Sequence, residues 1–309
     1  MVKTARYLLL LSLAACASVP RNMQTAVPVS AELVTAKMLR TFHDATAISM
    51  DQFLNVYVVE SSGNFVIKLS PNGDSLHAVS GFGSDHYQFN GPSGVDARIT
   101  NAVFISDRFN HRIEQYTKDL VYSGTLYTRD NTDPATRFGY PAAVAADEAG
   151  NIYVADGENK RVLKARSDYS VERVIGGYSD AVRPDAVLGN PVHLAIVRDQ
   201  HLIVLDHGGT SLVEFDNLGN FLARIDLNAE ARSISASNDT IFVLMNAEPN
   251  VRLFLGTGLV ELGGWRVERT NADDSSPAQD LCVRNGAAYL LTREALYACR
   301  LQPLATSGP

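Results

Sequence analysis

Asn151-Ile152-Tyr153-Val154-Ala155-Asp156-Gly157-Glu158-Asn159-Lys160-Arg161-Val162 is a short apolar strand that ends on an acid, turns through polar residues and restarts as a second strand. Val103-Phe104-Ile105-Ser106-Asp107-Arg108-Phe109-Asn110-His111-Arg112-Ile113 is its closest copy. Val56-Tyr57-Val58-Val59-Glu60 opens an earlier copy, Leu202-Ile203-Val204-Leu205-Asp206 a later one, and worn copies follow at Ile241-Phe242-Val243-Leu244 and Ala288-Tyr289-Leu290-Leu291. The second strand residue of each unit, Tyr57, Phe104, Tyr153, Ile203, Phe242 and Tyr289, recurs at spacings of 47, 49, 50, 39 and 47. A period in the forties belongs to radial or solenoid arrays. Each unit reads as a strand, a Gly- or Asn-bearing turn, the marker strand, a polar loop, a third strand and a fourth, which is the grammar of a propeller blade. The expectation is an all-β, six-bladed β-propeller.

The last unit, from about residue 277 to 301, holds only three strands. Ala31-Glu32-Leu33-Val34-Thr35-Ala36-Lys37-Met38-Leu39-Arg40-Thr41-Phe42 precedes the first complete unit and suits an outer strand. Pairing it with the third strand of unit six would close the ring and leave no long unpaired edge. The propeller is therefore placed at residues 31–303, with a tail at 304–309. Marker strands such as Val103-Phe104-Ile105 are apolar without alternation, as expected of strands buried on both faces. The acids that end them, Glu60, Asp107, Asp156 and Asp206, are read as acceptors for backbone N–H groups of their own loops. Cys282 and Cys299 fall on the first and third strands of unit six, roughly 9–10 Å apart and beyond disulfide reach, so they are read as buried small apolar residues.

Among the 309 residues, Lys and Arg number 27 against 34 Asp and Glu, and the net charge of −7 disfavours a nucleic-acid surface. At the start of the chain, Lys3 and Arg6 precede an apolar run, Tyr7 to Leu13, too short to anchor in a bilayer. Leu13-Ala14-Ala15-Cys16 resembles the bacterial lipobox, in which the Cys becomes lipid-modified; the alternative is an ordinary secretory signal. The expectation is a signal peptide at 1–15, lipidation (palmitate included) at Cys16, and a tether over 16–30. Ala17 and Ser18 are not the Asp of an inner-membrane retention signal, which points to an envelope protein of the outer membrane.

The pattern Asp-x-x-Asn-x-Arg-Ile/Val, in Asp107 to Ile113 and Asp156 to Val162, resembles the NHL repeat, as does the unit start Phe89-Asn90-Gly91-Pro92-Ser93-Gly94-Val95. The resemblance covers roughly residues 40–230, implies a six-bladed propeller and, with the lipobox, resembles bacterial NHL-repeat lipoproteins. Related amidating lyases hold zinc through His residues directly after the unit-opening Pro, where this chain has Ser93, Ala142 and Val192. The inner-strand metal ligands of regucalcin-like lactonases have no matching set. The resemblance thus implies no metal or other cofactor.

These readings favour a non-enzymatic, monomeric, lipid-anchored module that binds a protein, peptide or glycan; the alternative is a hydrolase or lyase with a site in the central funnel. Loops after the marker strands and loops into the first strands share one face, and Arg108, Phe109, His111, His86, Tyr87 and His207 are its candidate partner residues. Aligning the units puts Ala47, Gly94, Ala143, His193, Ser233 and Asp280 at one inner-strand level. His193, Ser233 and Asp280, with Arg232 and Gln279 one step before, are the candidate ligand-binding set for a charged or polyol ligand. The competing reading of that half-ring is a hydrated polar lining.

Overall fold

The computed structural model describes residues 31–177, 183–197, 200–248, 250–271 and 275–300. Strand β1 (Ala31–Thr41) comes first. Blade 1 then runs β2 (Ala45–Met50), β3 (Val56–Glu60), β4 (Phe65–Leu69) and β5 (Ser75–Ser80), and blade 2 runs β6 (Pro92–Asp96), β7 (Val103–Asp107), β8 (Arg112–Tyr116) and β9 (Tyr122–Tyr127). Blade 3 comprises β10 (Ala143–Ala146), β11 (Ile152–Asp156), β12 (Arg161–Ala165) and β13 (Val171–Ile175); blade 4 comprises β14 (His193–Ile196), β15 (Leu202–Asp206), β16 (Ser211–Phe215) and β17 (Phe221–Asp226). Blade 5 has β18 (Ala231–Ser237), β19 (Thr240–Met245), β20 (Val251–Leu255) and β21 (Glu261–Arg269), and blade 6 has β22 (Ala278–Arg284), β23 (Ala287–Thr292) and β24 (Ala295–Arg300). The chain is a six-bladed β-propeller.

β1 supplies the fourth strand of blade 6, antiparallel to β24 with Ala36 opposite Cys299 and Lys37 opposite Ala298. Its first half does something the sequence did not announce. Ala31 to Ala36 also pair in parallel with Gly264 to Arg269 of β21. This welds blades 5 and 6 into one eight-stranded sheet. β21 is nine residues long, so it reaches past its own hairpin and offers a free edge that β1 covers.

The marker strands β7, β11 and β15 are buried along their whole length. Their side chains feed apolar clusters that lie between adjacent blades. One cluster joins Tyr57 and Val59 of blade 1 to Val103 and Ile105 of blade 2. Another joins Phe242 and Leu244 of blade 5 to Leu281 and Leu290 of blade 6. Each fully buried Val, Leu, Ile or Phe contributes about 1.5–3 kcal/mol, so the ring is held mainly by blade-to-blade burial.

The inner strands are blade edges, and their N–H groups find partners on the neighbouring blade. Ser49 Oγ accepts from Ala97 N–H at 2.9 Å, Asp96 Oδ2 from Ala146 N–H at 2.8 Å, Ser235 Oγ from Val283 N–H at 2.9 Å and Asp280 Oδ2 from Ile48 N–H at 2.9 Å. The last of these closes blade 6 onto blade 1. Crowding at the axis explains the small residues: a Cβ on Gly94 would lie 3.2 Å from Ala143 Cα.

Cys282 and Cys299 carry free thiols. Cys282 is buried and Cys299 half-buried, and desolvation raises both, Cys299 to about 12.

Candidate functional site

The acids that end the marker strands are fixed by hydrogen bonds. Asp107 accepts from Asn90 N–H (2.8 Å), Asn110 Nδ2 (2.7 Å) and Arg112 Nε (2.8 Å). Burial raises its carboxyl above the usual range while those three donors pull it back. Asp156 accepts from Gly139 N–H, Asn159 Nδ2 and Arg161 Nε. The arginine then reaches on to the loop entering its own blade: Arg112 donates to Ser84 O and Gln88 O, and Arg161 to Ala135 O and Arg137 O. The motif is a clamp that fastens long loops to a rigid sheet.

Blade 4 has no Arg at that place, since Ser211 occupies it. Arg224, from the outer strand β17, comes across instead, donating to Asp206 Oδ2 (3.2 Å), Asp185 O (2.9 Å) and Val187 O (2.7 Å). In blade 1, Glu60 accepts a long bond from His43 N–H at 3.4 Å.

With loops fastened, the six inner strands enclose a cavity of about 480 Å³ along the axis. Ala47, Gly94, Ala143, His193, Ser233 and Asp280 pair with the residues two beyond the six markers, so they do form one level of the ring. His193 Nε2 stands 3.6 Å from Asp280 Oδ1, across the blade that carries Ser233. Ser233 is 1% exposed, and its Oγ and His193 Nδ1 have no protein hydrogen-bond partner. Such atoms call for water or a ligand.

Gln279 and Arg232 line the mouth one step above; Arg232 Nε is held by Asn246 Oδ1. Arg108 lines the mouth as well, next to Phe109.

The far end of the cavity is closed by two arginines that the sequence did not single out. Arg98 reaches from blade 2 to Ile196 O on blade 4 (2.9 Å), and Arg284 from blade 6 donates to Arg98 O (2.7 Å) and Met50 O (3.3 Å). Burial lowers Arg98 from the usual arginine range, Asp96 opposes this and the Arg284 charge adds to it. A signal existed. Arg98 and Arg284 stand four residues past Gly94 and Asp280, where blades 1 and 3 have Asp51 and Asp147. Those aspartates turn back onto their own hairpins, accepting from Asn55 N–H and Asn151 N–H at 2.9 Å each, and the arginines have no such hairpin use.

The partner-face candidates fall into separate groups. Phe109 (53% exposed), His111 and Tyr140 cluster at the mouth between blades 2 and 3, with His111 4.5 Å from Tyr140. His207 is exposed at the mouth end of blade 4, 3.5 Å from Asp206. His86 and Tyr87 sit at the rim instead: His86 stacks on Tyr122 of the outermost strand β9 at 3.8 Å, and Tyr87 Oη accepts from Tyr122 N–H. Cys16 lies outside the described residues. Among the described residues no group of three or more His, Cys, Asp or Glu could hold a metal, and no helix is long and apolar enough to cross a membrane.

Residues 138–164 match the NHL repeat. A comparison with curated protein sequences finds no match. Among solved structures, a streptogramin B lyase is 15% identical with a TM-score of 0.57, covering 84% of this chain and 79% of the lyase. Virginiamycin B lyase from Staphylococcus aureus is 11% identical with a TM-score of 0.56, covering 84% and 80%. A gluconolactonase-like protein is 13% identical with a TM-score of 0.60, covering 86% and 92%. At these identities the likeness is one of fold: the chain is a six-bladed β-propeller that matches the NHL repeat over residues 138–164.

Proposed function

We propose that this protein is a lipid-anchored module of the bacterial envelope, of the outer membrane, that binds a protein, peptide or glycan partner through the mouth face of its propeller without catalysing a reaction. The observation that carries this reading is the patch of Arg108, Phe109, His111 and Tyr140. It is aromatic and cationic, exposed at Arg108, Phe109 and Tyr140 and half-buried at His111, and held on clamped loops beside an open cavity. Aromatic and Arg side chains on rigid supports are the usual anchors of binding surfaces. The Cys16 lipobox supports the anchor, because an apolar run as short as Tyr7 to Leu13 does not hold a bilayer. Two variants test the two halves. Cys16→Ser should release the protein from membranes or leave it unprocessed, and lipid labelling that persists contradicts the anchor. Phe109→Asp should lower recovery of a co-purifying envelope partner at least tenfold relative to Asn72→Asp on the opposite face. Equal loss in both variants contradicts the face assignment.

A hydrolase or lyase is the second reading, favoured by the His193–Asp280 pair beside the unpartnered Ser233. The similar lyases share only the fold, and propellers serve binding and catalysis alike.

A further inference from the structure

The charged side chains lining the axial cavity are Asp96, Arg98, Arg108, Arg232, Asp280 and Arg284. Four arginines face two aspartates, an excess of two positive charges inside a chain whose net charge is −7. The aspartates are already engaged by backbone. Asp96 accepts from Arg98 N–H and Ala146 N–H, and Asp280 from Leu281 N–H and Ile48 N–H. The arginines are not saturated: each guanidinium has five N–H donors, whereas Arg98 gives one group to Ile196 O and Arg284 one group to Met50 O and Arg98 O. Two like charges meet at a desolvated cavity floor, an arrangement that an anion relieves and that planar guanidinium groups are shaped to receive.

The cavity volume of about 480 Å³ is far more than a bare phosphate fills and lies in the range of organic-ligand sites. Its walls are polar along the way in: Thr46, Ser93 and Gln279 near the mouth, then His193 and Ser235. We infer that the cavity binds a small organic oxyanion, its carboxylate or phosphate seated between Arg98 and Arg284 and its hydroxylated body against His193 and Gln279. This rests on the mouth face being the working side. Arg108 and Arg232 at the entrance attract the charge, and the floor arginines bind it.

Calorimetric titration of the full-length protein with glucuronate, glucose 6-phosphate and glucose tests the inference, because the three share a body and differ in the anion. At 150 mM salt, glucuronate or glucose 6-phosphate should bind saturably and at least tenfold more tightly than glucose, and which of them does so identifies the oxyanion. Arg284→Gln should weaken that binding at least tenfold. Arg232→Gln, at an exposed position, should weaken it several-fold with the thermal midpoint of the free protein unchanged, which keeps the test alive if Arg284→Gln does not fold. Absence of any preference for the anions over glucose overturns the inference, as does unchanged affinity in Arg232→Gln or in a folded Arg284→Gln. The partner-recovery contrast at Phe109 is read independently of these titrations, so the two readings fail separately.

Discussion

Asp156 accepts from three directions at once: the loop entering its blade, the turn that follows it, and the Arg161 guanidinium. It is fully buried, and its removal strands the largely buried Arg161 and takes away the acceptor of Gly139 N–H. Breaking a buried pair from one side costs about 3–5 kcal/mol. Asp156→Ala should lose that much in urea unfolding, and a loss within 0.5 kcal/mol of zero, the size of an ordinary surface change, contradicts the clamp. This role was legible because Asp, Asn and Arg recur at fixed spacing in two units. Arg224 was not legible: it replaces a missing motif residue from the outer strand, and only strand register brings it to Asp206. Arg98 and Arg284 escaped for a related reason, since their unit position carries turn-forming aspartates elsewhere.

Lys118 shows burial acting on a charge. Its Nζ donates to Ala97 O and Ala102 O, and desolvation lowers it to about 8, against about 10.4 for an unfolded chain. Between those values the unfolded state holds the proton more firmly, so stability gained from this group rises with pH. Relative to Lys118→Met, the wild type should therefore gain stability from pH 7.5 to 9.5 in denaturant titrations. Cys282 and Cys299 are present in both proteins and cancel. A difference that stays flat or moves the other way contradicts the shift.

β1 decides whether the ring closes. Its pairing with β24 was readable from the strand missing in unit six, whereas its parallel ladder with β21 was not, because nothing in the local pattern fixes how far β21 extends. Ala36 and Cys299 are direct cross-strand neighbours. Antiparallel partners lie about 4.5–5.5 Å apart at Cα, inside the range a disulfide spans. Ala36→Cys should oxidise intramolecularly with Cys299, shown by peptide mapping, and should raise the thermal midpoint, because the closed loop spans most of the chain and a long loop contributes about 4–5 kcal/mol when unstrained. A thiol at position 36 that stays reduced or links elsewhere refutes the closure.

At the scale of the molecule, the blade number, the closing strand and the level of the His193 half-ring followed from a period in the forties and one aligned position per unit. The division of the surface aromatics into mouth and rim groups did not, since it depends on the 81–88 loop folding outward onto Tyr122. The anionic total of the chain likewise hid a cationic cavity, because charges from three blades meet only when the ring closes. One face of the propeller, the mouth face, does the work. The most direct test of that assignment is a photo-crosslinker placed singly at Phe109, Tyr140 and Gln279 on the mouth face and at Asn72, Asn238 and Asn285 on the opposite face, in cells carrying the full-length protein. Adducts at the first three positions and none at the other three are the predicted result; adducts confined to Asn72, Asn238 and Asn285 would contradict it.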